Sequence, residues 1–459
     1  MECFVSIISD IQAVVWGPIM LLLLFGTHVF LTIRTRVIQR YMFQGMKLSV
    51  TPDREGEGDV SGFGALATAL AATIGTGNIV GVATAIASGG PGAVFWVWLT
   101  GCFGIASKYS EAVLAVKYRV KGKDGAMIGG PMYALERGLH LKWLGVLFAL
   151  FAGLACFGIG NRTQSNSISD MVNNTFGVSP HITGLIITIA TGVVIIGGVK
   201  SIARVCEKLV PFMAGFYIIG CILILILNRE FVGAAVKLIV TSAFTPHAAG
   251  GGFIGSTVML AIRFGIVRGL FSNEAGLGSA PIVDAAASTR NPVRQGLIAM
   301  TGVFWDTVIV CALTGLVLVS SIMKNPEGMA GLSGGDLSSA AFANIPVIGP
   351  IVLTVGLITF AWSTILGWSY YGERCWVYLC GPKAIMPFRI IFTLVVLIGS
   401  VVSLDLIWNI ADILNALMAL PNLIALLGLS GVVVAETKKY LFSHNMEAWS
   451  EDEIPVVDR

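Results

Sequence analysis

The chain has 459 residues, of which 55% are hydrophobic and only 12% are charged, and its formal net charge is +3. Soluble domains carry roughly 25% charged residues, so this composition excludes an ordinary soluble enzyme and indicates a protein embedded in a lipid bilayer. The basic residues cluster between apolar runs, so we interpret them as orientation signals and expect no nucleic acid among the partners.

Runs of about 20 apolar residues predict membrane-spanning helices. The sequence contains eleven such runs, at residues 12–33, 62–87, 91–116, 143–168, 180–199, 206–228, 253–288, 293–322, 347–371, 386–403 and 407–435. If the N-terminus lies outside, the outer loops contain only Arg229, Lys237 and Lys324, whereas each inner segment contributes lysine or arginine. The positive-inside rule therefore predicts an outer N-terminus and a cytoplasmic C-terminus.

Glycines interrupt two of these runs at corresponding places in the chain. The first break covers residues 75–78 and the second covers residues 271–281. Eleven spans divide into one leading helix and two sets of five, and because five is odd, the second set must run in the opposite direction. Paired breaks in an inverted repeat are typical of secondary transporters, whose binding site lies at the breaks.

This division gives five segments with different expected roles. They are an extra N-terminal helix with a cytoplasmic segment at 1–60, a first five-helix repeat at 61–228, an outer connecting loop at 229–252, a second five-helix repeat at 253–435 and a cytoplasmic tail at 436–459. We expect the outer loop to act as a lid or a covering helix, and the acidic stretch 443–459 of the tail to be mobile.

The first break has a chemistry of its own. In hydrocarbon every backbone N–H and C=O group needs a partner, so an opened helix must line a cavity or bind a ligand. The half-helix after Gly77 presents N–H groups and a positive dipole end, which suit a carboxylate. The half-helix before Gly75 presents carbonyl oxygens, which suit Na⁺ or an ammonium group. The alternative is that these glycines only allow close helix packing.

Two acidic side chains also lie in the middle of apolar runs. Glu274 is expensive to bury there and is a functional candidate by default. It can bind an ammonium group, pair with Arg268 or Arg263, or be a protonated structural acid. For Asp306 the simplest interpretation is an internal partner for Arg268.

Other polar side chains interrupt the predicted spans. Gln164 can hydrogen-bond a polar ligand or hold helices together. Ser363 and Thr364 offer the hard oxygen ligands that Na⁺ prefers, or they bond back to their own helix. Lys108 and Glu111 are three residues apart, and we interpret them as a surface ion pair.

The eight cysteines and five histidines follow no metal-binding or disulfide pattern. No two cysteines form a CxxC pair, and no HExxH motif occurs. We therefore expect packing roles for them, and no organic cofactor.

Six stretches of the chain carry motifs that belong together, at residues 73–81, 89–98, 129–133, 157–166, 268–281 and 360–373. They resemble the signature of the alanine or glycine:cation symporters, and the resemblance extends from about residue 12 to residue 435. Val97 stands where the family has methionine, and Ser369 stands where an aromatic residue is expected.

The resemblance implies an all-α polytopic membrane protein with a leucine-transporter-like 5+5 inverted repeat and one extra N-terminal helix. It implies symport of alanine or glycine into the cell by alternating access, with Na⁺ as the coupling ion, in a prokaryotic plasma membrane. The chain is then a transporter and not an enzyme, and its oligomeric state is left open.

The resemblance also implies individual site residues. The amides of Thr76 and Gly77 are expected to bind the substrate carboxylate. The full substrate-binding set is Thr73, Thr76, Gly77, Asn78, Gln164, Phe271, Asn273, Gly276, Leu277 and Trp368. Two sodium sites are implied, the first formed by Thr73, Asn78 and Ser272 and the second by Ala71, Ile74, Ser363 and Thr364.

Three other functions stay open at this point. A proton-coupled transporter would use Glu274 as its titrating acid and would work without Na⁺. A channel would need no closed pocket, and its flux would not saturate at low substrate concentration. A membrane-embedded enzyme would need a nucleophile–base pair or a metal cluster, and neither stands out in the sequence.

Overall fold

The computed structural model describes residues 2–51, 53, 56–123, 125–246, 253, 256–402 and 405–457. The α-helices of this part of the chain, numbered in order, are α1 (Glu2–Val15), α2 (Pro18–Arg34), α3 (Met42–Ser49), α4 (Gly62–Thr73), α5 (Val80–Gly89), α6 (Ala93–Lys117), α7 (Pro131–Tyr133), α8 (Lys142–Phe157), α9 (Thr163–Phe176), α10 (Pro180–Ile196), α11 (Gly198–Leu227), α12 (Arg229–Phe244), α13 (Val258–Asn273), α14 (Pro281–Asp284), α15 (Pro292–Val303), α16 (Ala312–Lys324), α17 (Gly334–Ala343), α18 (Ile348–Cys380), α19 (Ile385–Val401), α20 (Asp405–Gly428) and α21 (Ser430–Thr437).

The described residues contain seven helices that are long and apolar enough to cross a membrane, and eight if one bent pair counts as a single span. The bent pair is Gly62–Thr73 with Thr76–Gly89, whose axes differ by 61°. The break expected in the first glycine-rich run is therefore present. Every predicted apolar run overlaps a helix, but α10 is short, and the described part of the run 253–288 contains only the 16-residue α13 and the four-residue α14. The count of eleven spans stays a prediction.

The N-terminal helix differs from the predicted run 12–33. Helix α1 begins already at Glu2, and a break at Gly17 separates it from α2. Pro18 opens α2 at a position where its missing N–H group is tolerated. The chain turns tightly at Gly17, and an added Cβ there would lie only 2.7 Å from the carbonyl oxygen of Val14.

Two long helices enclose the broken spans. Helix α6 packs against α13 and α15, and α18 packs against α4, α8, α9 and α11. Helix α4, the first half of the first broken span, contacts α18, whereas α5, the second half, contacts α13. The first break therefore lies where it can meet both the second broken span and α18.

Two spans contain π-helical segments that the sequence did not predict. Residues Gly158–Arg162 join α8 to α9, and Phe304–Cys311 join α15 to α16. Segments of this kind often occur at functional sites, because the extra residue in the turn redirects side chains. The second segment contains Asp306, whose carboxylate reaches Asn78 in the first break.

A small sheet joins the C-terminal tail to the loop after α6. Strands β1 (Val120–Gly122), β2 (Met127–Ile128) and β3 (Val456–Val457) lie in the order β2-β1-β3, with β1 antiparallel to β2 and parallel to β3. Lys117 donates to Asp452 at 2.5 Å. Although partial burial opposes it, this hydrogen bond holds the pKa of Asp452 below its usual value. The described part of the tail is docked, contrary to the expectation of mobility.

The predicted outer loop 229–252 is mostly helical. Helix α12 packs on α16 and α6, which agrees with a covering helix. Residues 247–252 lie outside the described part of the chain, and the five predicted segment boundaries stay predictions.

Candidate functional site

The first broken span opens where its glycine meets α18. Helix α4 ends at Thr73, and Gly75 is extended before a 3₁₀ turn at Thr76–Asn78. An added Cβ at Gly75 would lie 2.6 Å from the hydroxyl oxygen of Thr364, so any larger residue would force a shift. Asn78 closes part of the break, because its Oδ1 accepts a hydrogen bond from the Gly75 N–H at 2.9 Å.

The predicted members of the second sodium site lie together across this break. The Ser363 hydroxyl lies 3.1 Å from the carbonyl oxygen of Ala71, and the Thr364 hydroxyl lies 3.5 Å from that of Ile74. Both hydroxyls also donate to the Phe360 carbonyl, at 2.9 and 3.0 Å, so the back-bonding alternative holds as well. Four hard oxygens, the ligand type that suits Na⁺, thus converge between α4 and α18.

A buried carboxylate organises the other side of the first break. Asp306 accepts a hydrogen bond from Asn78 Nδ2 at 2.7 Å and another from Ser272 Oγ at 3.0 Å. Thr307 Oγ1 donates to the same carboxylate at 2.6 Å. Thr73, the third predicted member of the first sodium site, instead donates back to a carbonyl of its own helix at 3.1 Å. The structure therefore unites Asn78 and Ser272 around Asp306.

Among the described residues, neither mid-membrane acid is paired with an arginine, which was one of three possibilities for Glu274 and the simplest interpretation for Asp306. Glu274 accepts hydrogen bonds from the Trp368 indole at 3.0 Å and from the Ser279 hydroxyl at 2.5 Å. The predicted pairing of Asp306 with Arg268 is also wrong, because neutral N–H and O–H groups surround the Asp306 carboxylate. Arg268 Nε is buried with no hydrogen-bond partner among the described residues. Buried carboxylates can thus be satisfied by neutral donors.

Two polar atoms beside the breaks lack partners within the described chain. Gln164 Oε1 is buried without a hydrogen bond, and it lies 3.6 Å from the position of a Cβ added at Gly75. Asn273 Nδ2 is likewise buried and unpaired. The Phe271 ring lies against Gly77, with Cδ1 3.3 Å from the position of an added Cβ. An unpaired acceptor, an unpaired donor and an aromatic wall are the features expected where a small zwitterion binds.

The second break is closed by side chains from other helices. Glu111 Oε1 accepts hydrogen bonds from the Gly278 N–H at 3.0 Å and from Asn422 Nδ2 at 2.7 Å. Asn422 also donates to the Gly276 carbonyl at 2.9 Å. The atoms nearest to a Cβ added at Gly276 belong to α2 and α20 and not to the first break. Leu277 is fully buried.

Glu111 has a role that the sequence did not reveal. We expected a surface ion pair with Lys108, but Glu111 and Lys108 are only 2% and 3% exposed. Glu111 accepts a hydrogen bond from the second break, and Lys108 Nζ has no hydrogen-bond partner in the part of the chain that is described. Their position inside the apolar run 91–116 was the available signal, because an acid within a span is rarely a surface group.

Two broken helices that face each other, with oxygen clusters and unpaired polar atoms at the breaks, define a secondary transporter of the broken-helix class. Residues 1–453 match the model of the sodium:alanine symporter family. The chain belongs to that family.

Individual relatives agree with this assignment. The chain is 52% identical over 444 residues to the sodium/alanine symporter AgcS of Methanococcus maripaludis, covering 95% of this chain and 97% of the relative. It is 52% identical over 454 residues to an uncharacterized transporter of Haemophilus influenzae, covering 98% and 99%. Among solved structures, MhsT in complex with L-phenylalanine superposes with a TM-score of 0.56 at 16% identity, covering 86% of this chain and 94% of MhsT.

The family and fold decide between several of the sequence-based hypotheses. The predicted leucine-transporter-like architecture is confirmed, apart from the count of spans. The chain is a multi-span membrane transporter, so the alternative of a membrane-embedded enzyme is wrong.

Proposed function

We propose that this protein is a Na⁺-coupled symporter that carries alanine and glycine into the cell by alternating access, across a prokaryotic plasma membrane with the C-terminus inside. The observation that carries the proposal is the set of four oxygens from Ala71, Ile74, Ser363 and Thr364 at the first break. Two of them are carbonyls freed by the break and two are hydroxyls of α18, so an ion bound there holds two helices together.

The substrate site is proposed at the same break. The N–H groups of Thr76 and Gly77 begin the outer half-helix, where the first N–H groups have no intrahelical partner and suit a carboxylate. Gln164 Oε1, unpaired among the described residues, would accept a hydrogen bond from the substrate ammonium. Phe271 lies against Gly77 and leaves little room for a side chain, which favours alanine and glycine.

The remaining predicted residues complete the pocket in this proposal. Asn273 offers an unpaired amide donor, and Trp368 and Leu277 supply buried apolar walls. Thr73, Asn78 and Gly276 stay in the proposed set on the family resemblance. The name of the relative AgcS supports alanine as the substrate.

The first sodium site would include Asp306 beside Asn78 and Ser272. A carboxylate that already accepts hydrogen bonds from both side chains brings a negative charge to a cation next to the substrate. Its charge would compensate the ion in a medium where an unpaired charge is costly. Thr73 would join this site only after its hydroxyl leaves the carbonyl to which it now donates.

Coupling follows from the shared break. Na⁺ at either site would fix the broken helix in the shape that binds the amino acid, and the bound amino acid would in turn favour Na⁺ binding. The two broken spans would then move against α18 and its neighbours to open the opposite side. An inward Na⁺ gradient therefore drives uptake.

The proposal is tested by uptake of radiolabelled alanine into proteoliposomes under an imposed inward Na⁺ gradient. Matched vesicles with only K⁺ and with only a pH gradient are the controls, and unlabelled glycine is the competitor. We expect uptake only with Na⁺, saturating with substrate and competed by glycine. Uptake driven by the pH gradient alone would instead favour proton coupling through Glu274, and flux that does not saturate would favour a channel.

A further inference from the structure

The indole of Trp368 is held on three sides. Trp368 is fully buried. A Cβ added at Gly160 would lie 2.2 Å from the Trp368 Cβ, so the Trp368 side chain packs directly against the backbone of the π-helical segment Gly158–Arg162. The Tyr371 ring lies edge-on at 5.7 Å between centroids. The third contact is the hydrogen bond from the indole N–H to Glu274 at 3.0 Å.

Glu274, the residue that caps the C-terminal end of α13, takes an uncommon backbone conformation. Its φ is +52°, in the left-handed region where glycine is the usual residue. Strain of this kind persists only where surrounding contacts determine the conformation. Here the two carboxylate oxygens are each occupied, Oε1 by the indole N–H and Oε2 by the Ser279 hydroxyl. An indole N–H can only donate and a carboxylate can only accept, so the pair is chemically matched.

The Glu274–Trp368 hydrogen bond joins the second break to the helix that faces the first break. Trp368 lies one turn after Thr364 on α18, so both side chains lie on one face. Thr364 meets Gly75 in the first break, and Trp368 meets Glu274 in the second. One face of α18 therefore contacts both breaks, between which the substrate is proposed to bind.

We infer that Glu274 is a positioning residue, which fixes the Trp368 indole as a rigid wall of the pocket and thereby limits the size of the transported amino acid. This inference rests on the proposed function. It gives Glu274 a role through a neighbouring side chain, distinct from binding the substrate ammonium or shuttling protons. A wall free to rotate would admit larger side chains and would hold alanine less well.

Three variants separate this role from the alternatives. Glu274→Gly removes the carboxylate and relieves the left-handed backbone, so a purely conformational role of this position predicts normal transport. Glu274→Gln keeps an oxygen that accepts the indole N–H. Trp368→Phe keeps an aromatic wall but removes the donor. A matched control is Thr191→Val, which removes the acceptor of Trp362, another indole of α18, whose N–H donates to Thr191 Oγ1 at 3.1 Å.

The readout is the KM of Na⁺-driven alanine uptake in proteoliposomes, together with competition by glycine, serine, valine and leucine. We expect Glu274→Gly and Trp368→Phe each to raise the alanine KM about tenfold, since loss of one hydrogen bond to a charged group has effects of this order. Both should increase competition by valine and leucine. Glu274→Gln is expected within about threefold of wild type, Thr191→Val is expected to be unchanged, and the Glu274→Gly/Trp368→Phe double variant should be no worse than either single variant.

Several results would overturn the inference. Wild-type selectivity in Glu274→Gly would do so. An equal rise in the alanine KM of Glu274→Gln and Glu274→Gly, with selectivity unchanged, would also do so, because it would indicate that the charge of Glu274 contacts the substrate ammonium group directly. Fully additive losses in the double variant would also contradict it. If Glu274→Gly does not give a monodisperse protein, the other two variants test the inference. It then requires a raised alanine KM in Trp368→Phe and a KM close to that of wild type in Glu274→Gln. If vesicles that contain the wild-type protein take up no alanine under a Na⁺ gradient, the proposed function itself is refuted.

Discussion

Replacing Asn78 by alanine tests the link between the first break and ion binding. Its amide accepts a hydrogen bond from the Gly75 N–H at 2.9 Å and donates one to Asp306 at 2.7 Å, and the residue is 0% exposed, so both hydrogen bonds are buried. Leaving a buried polar group unsatisfied costs about 1–3 kcal/mol, so two orphaned partners cost about 2–6 kcal/mol. About 1.4 kcal/mol corresponds to a tenfold change in an equilibrium constant. The affinities for Na⁺ and alanine, which depend on the closed break, should therefore fall by about 30-fold or more.

The assay is the initial rate of alanine uptake as a function of external Na⁺ in proteoliposomes. In Asn78→Ala we expect the half-saturating Na⁺ concentration and the alanine KM to rise together. Asn228→Ala is the matched control, because Asn228 is 1% exposed and makes two side-chain hydrogen bonds, to Ser321 and from Lys324, both at 3.1 Å. An Asn78→Ala protein with the Na⁺ affinity of the control would refute the reasoning, even if its alanine uptake were reduced.

The remaining predictions concern the second sodium site, the break itself and the tail. Thr364→Val, which removes one hydroxyl at constant shape, should raise the half-saturating Na⁺ concentration about tenfold, whereas Thr359→Val, whose hydroxyl only bonds back to its own helix at 2.7 Å, should leave Na⁺-driven uptake unchanged. Gly75→Ala should abolish uptake without preventing membrane insertion, because the new Cβ would lie 2.6 Å from a hydroxyl oxygen; uptake at the wild-type rate would refute this. The pKa of Asp452 is lowered, so the stability that its bond to Lys117 adds is present at neutral pH and is lost only as the pH falls through that lowered pKa. Protection of the tail from protease should therefore be constant from about pH 8 to about pH 5. Lys117→Met should reduce that protection.

The sequence was informative where a local rule of membrane chemistry applies. A glycine pair in hydrocarbon predicts an opened helix, and the opening at Gly75 is present with an axis change of 61°. Hydroxyl-bearing residues in an apolar span predict a polar function, and Ser363 and Thr364 do face the carbonyls of the first break. The first signal is local, because the break forms in the same run that contains the glycines. The second gave the type of side chain but not its partners, because Ser363 and Thr364 contact carbonyls that lie 292 and 290 positions away in the chain.

The partners of the buried acids could not be predicted by the same means. Glu274 and Trp368 are 94 positions apart, and Asn78 and Asp306 are 228 apart, so no periodicity connects them. Arginine was one of three possible partners for Glu274 and the simplest one for Asp306, because a buried charge needs compensation, but the compensation came from neutral N–H and O–H groups. The π-helical segment that turns Asp306 toward Asn78 has no recognised sequence signal.

The two oxygen clusters differ in a way that bears on coupling. The cluster of Ser363 and Thr364 is neutral and ties the first break to α18, whereas the cluster around Asp306 is acidic and ties the same break to the second broken span. An ion at the neutral cluster gains only dipoles, so its binding depends on how closely α18 approaches the break. An ion at the acidic cluster gains a full charge and is less sensitive to that distance. The neutral site is therefore expected to fill and empty as α18 separates from the break, and the acidic site to keep its ion until the two broken spans part.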